Sequence, residues 1–76
     1  MNRDIIEEML HRLAIKVYLS EQYREEYKRN IRECPFYSEM IGMREAMQVM
    51  GINVDFEYND DLKITALKVD DIRVEI

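Results

Sequence analysis

The 76-residue chain contains one cysteine, one proline, two glycines and no tryptophan. With only Cys34 present, an internal disulfide and any multi-cysteine zinc site are excluded, so the fold must rest on packing or on a second chain. Proline and glycine are scarce while 47% of the residues are apolar, which excludes a disordered segment, whose composition runs the other way. No uncharged stretch is long enough to cross a bilayer. Residues 2–8, an apolar run interrupted by Glu7 and Glu8 after Asn2, Arg3 and Asp4, lack the apolar centre of a signal peptide. The expectation is one small soluble domain in the cytoplasm, with no membrane partner.

The usual chemical motifs are also missing. Neither a GxxxxGK[ST] nor a GxGxxG loop occurs, so no Gly-rich backbone cradles a phosphate and no nucleotide cofactor is expected. Asp60-Asp61 and Asp70-Asp71 supply hard oxygen ligands, but they occupy separate turns and lack EF-hand spacing, so no metal is expected. His11, Cys34, Ser20 and Ser38 are the candidate nucleophiles and imidazole base, and none sits in a recognisable motif. His11 follows Glu7 by four residues and reads as a surface helix pair; Cys34, before Pro35 and Phe36-Tyr37, reads as a small buried hydrophobe. A non-enzymatic protein is expected.

What is present is periodicity. From Asp4 to Glu33 there is no Gly or Pro, and Ile6, Leu10, Leu13 and Val17 recur at spacings of four and three, which predicts a first helix over 4–33. Asp4 with Glu7 forms an acidic capping box, and Glu8–Arg12 and Glu25–Arg29 are favourable i,i+4 pairs. Pro35 is expected to end this helix. Ser38 is a candidate N-cap for a second helix over 38–50, whose Met40, Met43, Met47 and Met50 form one stripe and which Gly51 closes in a left-handed C′ position with Ile52 against Met47.

From Ile52 the period becomes two. Val54, Phe56 and Tyr58 alternate with polar residues, Asn59-Asp60-Asp61 turns the chain, and Leu62, Ile64 and Ala66 return. Leu67 and Val69 then fall on the opposite parity, which a β-bulge at Ala66-Leu67 would repair. A four-residue first loop without a bulge is the alternative and leaves Leu62 and Ile64 outside. Asp70-Asp71 leads into Ile72, Val74 and Ile76. The predicted fold is α+β, with two helices, the first of them long, packed on one face of a three-stranded antiparallel meander, all in one domain over residues 1–76.

A helix of about thirty residues measures roughly 45 Å, against about 23 Å for seven-residue strands. Either it breaks near Ser20, or helix 2 folds back along residues 21–33, or a second copy covers the overhang. The last reading makes Ile6, Leu10, Leu13 and Val17 an oligomer interface and the protein a homodimer.

Charge is uneven. Residues 1–50 carry nine acidic and eight basic side chains, residues 51–76 seven and three. The acidic part argues against direct nucleic-acid binding and for a basic partner, through Asp55, Glu57, Asp60, Asp61, Asp70 and Asp71. The competing surface is a basic stripe, Arg24, Lys28 and Arg32, interleaved with Tyr23 and Tyr27.

The stretch Gly42-Met43-Arg44-Glu45-Ala46-Met47 through Met50-Gly51-Ile52, followed by Val54-Asp55-Phe56-Glu57-Tyr58 and Lys63-Ile64-Thr65, resembles small accessory proteins of bacteriophages and prophages over residues 40–76. In such proteins the second turn often carries Asp-Gly; here Asp71 stands in place of that Gly. The resemblance implies an inhibitor or regulator of a host nucleic-acid-handling protein in the bacterial cytoplasm, in the manner of anti-CRISPR and other anti-defence proteins. It carries no residue-level site. The alternative is a homo-oligomeric structural or assembly protein built on the first helix.

Overall fold

The computed structural model describes residues 2–76. Helix α1 spans Arg3–Gln22, a 3-10 turn Ile31–Glu33, helix α2 Pro35–Val49, and strands β1, β2 and β3 span Asp55–Tyr58, Ile64–Val69 and Ile72–Glu75. The three strands form an antiparallel sheet in the order β1-β2-β3. Helix α1 lies across β2 and β3, and α2 packs along α1. This is the expected α+β arrangement of a long helix and a shorter one on one face of a meander.

The first helix is shorter than its sequence pattern. It stops at Gln22, with Tyr23 as C-cap donating to the Leu19 carbonyl, and turns follow over residues 23–29. Two physical reasons account for this. Beyond Ser20 the only apolar residues before Ile31 are Tyr23 and Tyr27, so further turns have no apolar stripe to bury, and helices gain most of their stability from such burial. Arg24, Lys28 and Arg32 would also stack like charges at i,i+4. The helix that remains, 20 residues, measures about 30 Å and no longer overhangs its sheet far.

The helix starts also differ from expectation. Asn2, not an Asp4–Glu7 box, caps α1, its side chain accepting from the Asp4 amide at 2.7 Å. Pro35 begins α2 at N1 instead of ending α1, and Cys34 is the N-cap. Proline suits that position because its missing N–H would be unpaired there anyway. Ser38 lies inside the first turn of α2, its hydroxyl donating to the Arg32 carbonyl at 3.3 Å. The C-terminus of α2 follows expectation: Gly51 takes φ 84°, Ile52 N–H bonds Met47 O at 2.8 Å and Gly51 N–H bonds Gln48 O at 3.0 Å, a Schellman closure.

The bulge exists but lies earlier than Ala66-Leu67. Glu57 pairs with Ala66 and Tyr58 with Ile64, leaving Thr65 as the extra residue. Ile64 and Leu67 therefore share the inner face, while Ala66 faces outward between Glu57 and Glu75. Leu62 belongs to the loop, 70% exposed at φ 61°. Two residues, Asp70-Asp71, join β2 to β3, and Asp70 takes the positive φ (52°) that primed hairpin turns require of their first central residue.

The core combines Leu10, Leu13 and Val17 of α1 with Met40 and Met47 of α2 and with Leu67, Val69, Ile72 and Val74 of the sheet. Of the methionine stripe, Met40 and Met47 are buried, Met43 is packed at the edge and Met50 is half exposed. The β1 side is tied down by Arg44, whose guanidinium donates to Val54 O at 3.1 Å and sits 4.0 Å over the Phe56 ring.

Candidate functional site

The helices cover one face of the sheet, so the other face is open. Alternation places Asp55, Lys68 and Arg73 in one cross-strand row of that face and Glu57, Ala66 and Glu75 in the next. Arg73 spans the second row: its Nε donates to Glu57 at 2.9 Å and its Nη1 to Glu75 at 2.8 Å. Ala66 is 0% exposed although it is on the open face, between the two carboxylates this guanidinium bridges. The Arg73 hydrogen bond holds the Glu57 carboxyl below the usual carboxylate range, against a smaller opposing effect of desolvation. Hydrogen bonds to Glu57 and then Glu75 raise the Arg73 guanidinium above its ordinary value.

At the β2–β3 turn, Arg3 Nη1 reaches both Asp71 oxygens at 2.8 Å and fastens the start of α1 to the hairpin. That hydrogen bond, with the Arg3 charge, lowers the Asp71 carboxyl, and the reciprocal contact raises Arg3. At the β1–β2 turn the Asn59 side chain accepts from the Asp61 and Lys63 amides at 2.9 and 3.0 Å and so organises the loop, in which Asp60 and Asp61 are exposed.

The six carboxylates singled out from sequence thus divide. Glu57 and Asp71 are ion-paired within the chain, whereas Asp55, Asp60, Asp61 and Asp70 are exposed and have no ion pair among the described residues. Asp60-Asp61 and Asp70-Asp71 lie at opposite ends of β2, about 20 Å apart for a six-residue strand. The open face between them carries Asp55, Glu57 and Glu75 together with Lys68 and Arg73, so the two turns are separate acidic ends of a face of mixed sign. Among the described residues, no group of three His, Cys, Asp or Glu side chains is arranged to hold a metal ion.

The basic stripe does not form as a stripe. Arg24 and Lys28 line a cleft of about 500 Å³ with Tyr37, Met40, Tyr58 and Leu62, at the end of the molecule where α1 stops. Each lies near an acidic neighbour, Arg24 at 3.5 Å from Glu21 and Lys28 at 4.0 Å from Glu25. Arg32 lies in a different depression beside Ser38 and Gly42. Tyr23 stacks on Phe36 with centroids 5.1 Å apart, and Tyr27 is half-buried. His11 makes the surface pair with Glu7 at 4.0 Å, and Cys34 is buried.

The interface assigned to α1 from periodicity is overturned for three of its four residues. Leu10, Leu13 and Val17 are 0% exposed within a single chain, against the sheet and α2, so no second copy can reach them; Ile6 is packed at the edge of the same core. Sequence reasoning passed over Arg73 and Glu75, whose role needs the cross-strand register, and it placed Leu62 in the returning strand, whereas Leu62 is exposed in the loop. No helix among the described residues is long and apolar enough to cross a membrane. No family model, curated protein or solved structure matches this chain.

Proposed function

We propose that this chain is a non-enzymatic protein-binding module that presents its open sheet face to a basic surface of a host protein, one that handles nucleic acid, and inhibits or regulates it in the bacterial cytoplasm. The observation that supports this reading is that the charge asymmetry of the sequence is an asymmetry between the sheet layer with its turns and the helical layer. Seven carboxylates and three cations of residues 51–76 belong to the sheet layer and its turns, while the helical layer is nearly balanced. Exposed carboxylates without an ion pair among the described residues, Asp55, Asp60, Asp61 and Asp70, are the ones offered to a partner's Lys and Arg. Such charges steer association and set specificity, and a polyanion-like face suits a groove evolved for phosphates. The resemblance of residues 40–76 to phage accessory proteins points to the same class of partner.

The test is affinity capture from bacterial lysate with the wild-type chain, an Asp60→Asn/Asp61→Asn/Asp70→Asn variant and an Arg24→Gln/Lys28→Gln/Arg32→Gln variant. The proposal expects nucleic-acid-binding proteins on the wild type, eluted by added DNA or by salt, since exposed charges are screened over about 8 Å at physiological ionic strength. It expects recovery to drop at least about tenfold for the Asn variant and to stay unchanged for the Gln variant. The reverse pattern would move the binding surface to the cleft holding Arg24 and Lys28 and reject the acidic-face reading.

A further inference from the structure

Both outer strands of the sheet present an unpaired edge, and the two edges differ. The β1 edge carries Asp55 and Glu57 on its open face, and Arg44 already occupies the Val54 carbonyl beside it. Antiparallel pairing of two β1 strands would oppose carboxylate to carboxylate. The β3 edge carries Arg73 and Glu75, of opposite sign and paired with each other within the chain at 2.8 Å, so a partner's copy of the same pair adds to this contact instead of meeting bare charges. We infer that the β3 edge is a self-complementary surface through which two copies of this chain pair antiparallel, in the register that sets Val74 opposite the partner's Val74.

The backbone supports that register. The Ile76 amide donates inward to Thr65 O at 2.9 Å, so Ile72, Val74 and Ile76 direct their hydrogen bonds toward β2, and the N–H and C=O groups of Arg73 and Glu75 face the open edge. With Val74 on the two-fold axis, Arg73 falls opposite the partner's Glu75 and Glu75 opposite the partner's Arg73. Each is then a hydrogen-bonded pair exchanging both backbone bonds, with opposite charges side by side. Neither β1 self-pairing nor a shift by two residues gives this match.

The inner side supplies apolar area where the strand edge alone is too small. Between α1 and β3 runs a shallow groove in which Ile15 is 61%, Tyr18 51% and Ile76 37% exposed, with Ala14 and Val74 along it. The same register brings Ile76 opposite the partner's Ile72. A two-fold interface uses one patch twice, so a patch that is both charge-matched and apolar closes as a dimer. The four-residue edge places it at the small end of specific interfaces. This pairing does not depend on the acidic face binding a host protein. It would join two open faces into one continuous sheet surface.

Sedimentation equilibrium from about 1 to 500 µM reads the association directly. The wild type is expected to approach twice the 9.2 kDa chain mass. Arg73→Glu and Glu75→Arg, made singly, oppose like charges at both pairs and should weaken self-association at least about tenfold. Mixing those two variants, or combining both substitutions in one chain, restores opposite charges at both pairs and should restore the dimer. Should Arg73→Glu fail to fold by circular dichroism, Glu75→Arg alone and the double exchange carry the test. A wild type monomeric throughout, a species larger than a dimer, single reversals without effect, or no recovery in either the double exchange or, where both single variants fold, their mixture would each overturn the proposal.

Discussion

Leu13→Ala tests whether the inner stripe of α1 is the core of one chain. Leu13 is 0% exposed, between the sheet and α2. Truncation removes about three methylene equivalents at ~0.8 kcal/mol each. The space left by a side chain held from several sides raises the cost to about 3–4 kcal/mol. A 76-residue domain has about 4–11 kcal/mol in total, so the variant loses about a quarter or more of its stability. Urea unfolding followed at 222 nm, with a slope of about 1 kcal/mol/M for so small a chain, should show a midpoint lower by about 3–4 M. The melting temperature should fall by about 12–32 °C. The companion is Ile15→Ala, two residues further along the helix but 61% exposed. There the lost partial contact is offset by the better helix propensity of alanine, and the change should stay within about 0.5 kcal/mol. Both measurements belong at about 1 µM protein, below any self-association. A loss under about 1 kcal/mol for Leu13→Ala together with more than about 2 kcal/mol for Ile15→Ala would mean that the helix faces are assigned the wrong way round.

The two glycines should respond to alanine with opposite signs. Gly51→Ala forces a Cβ into φ 84° and should cost about 1 kcal/mol although nothing lies within 4 Å, whereas Gly42→Ala, inside α2 with equally open surroundings, should gain about 0.5–1 kcal/mol in thermal or urea unfolding. The carboxyls of Asp71 and Glu57 are lowered by Arg3 and Arg73, so the stability they contribute is complete above the unfolded-state value of about 4 and is lost as pH falls through their lower folded-state values. Arg3→Gln and Arg73→Gln should therefore show a shallower fall in melting temperature below pH ~4 than the wild type, and parallel curves would refute the linkage.

Local signals carried much of this fold. Alternation of apolar residues marked the strands, Gly51 followed by Ile52 marked the end of α2, and Leu10, Leu13 and Val17 marked the buried side of α1. These readings succeed because helix and strand periods, and the freedom of glycine at positive φ, belong to a few neighbouring residues and need no partner. The six candidate carboxylates were also legible as a composition, seven acidic against three basic residues in 51–76. Their states were not, because an ion pair between Arg3 and Asp71 joins residues 68 positions apart.

Where α1 stops, what it covers and which charges remain free were decided by the tertiary structure. The periodicity of residues 4–17 says nothing about whether residues 23–33 have an apolar surface to lie on, and without one the helix ends at Gln22 and the basic stripe is dispersed. The same stripe of Leu10, Leu13 and Val17 satisfies a dimer seam or a core equally well until the meander lies against it. The bulge at Thr65 sets the register, and the register alone puts Arg73 between Glu57 and Glu75 over Ala66. Sequence pattern determines which residues seek burial and which bear charge; only the packing of distant segments determines what each of them meets, because burial and charge pairing are properties of pairs brought together through space.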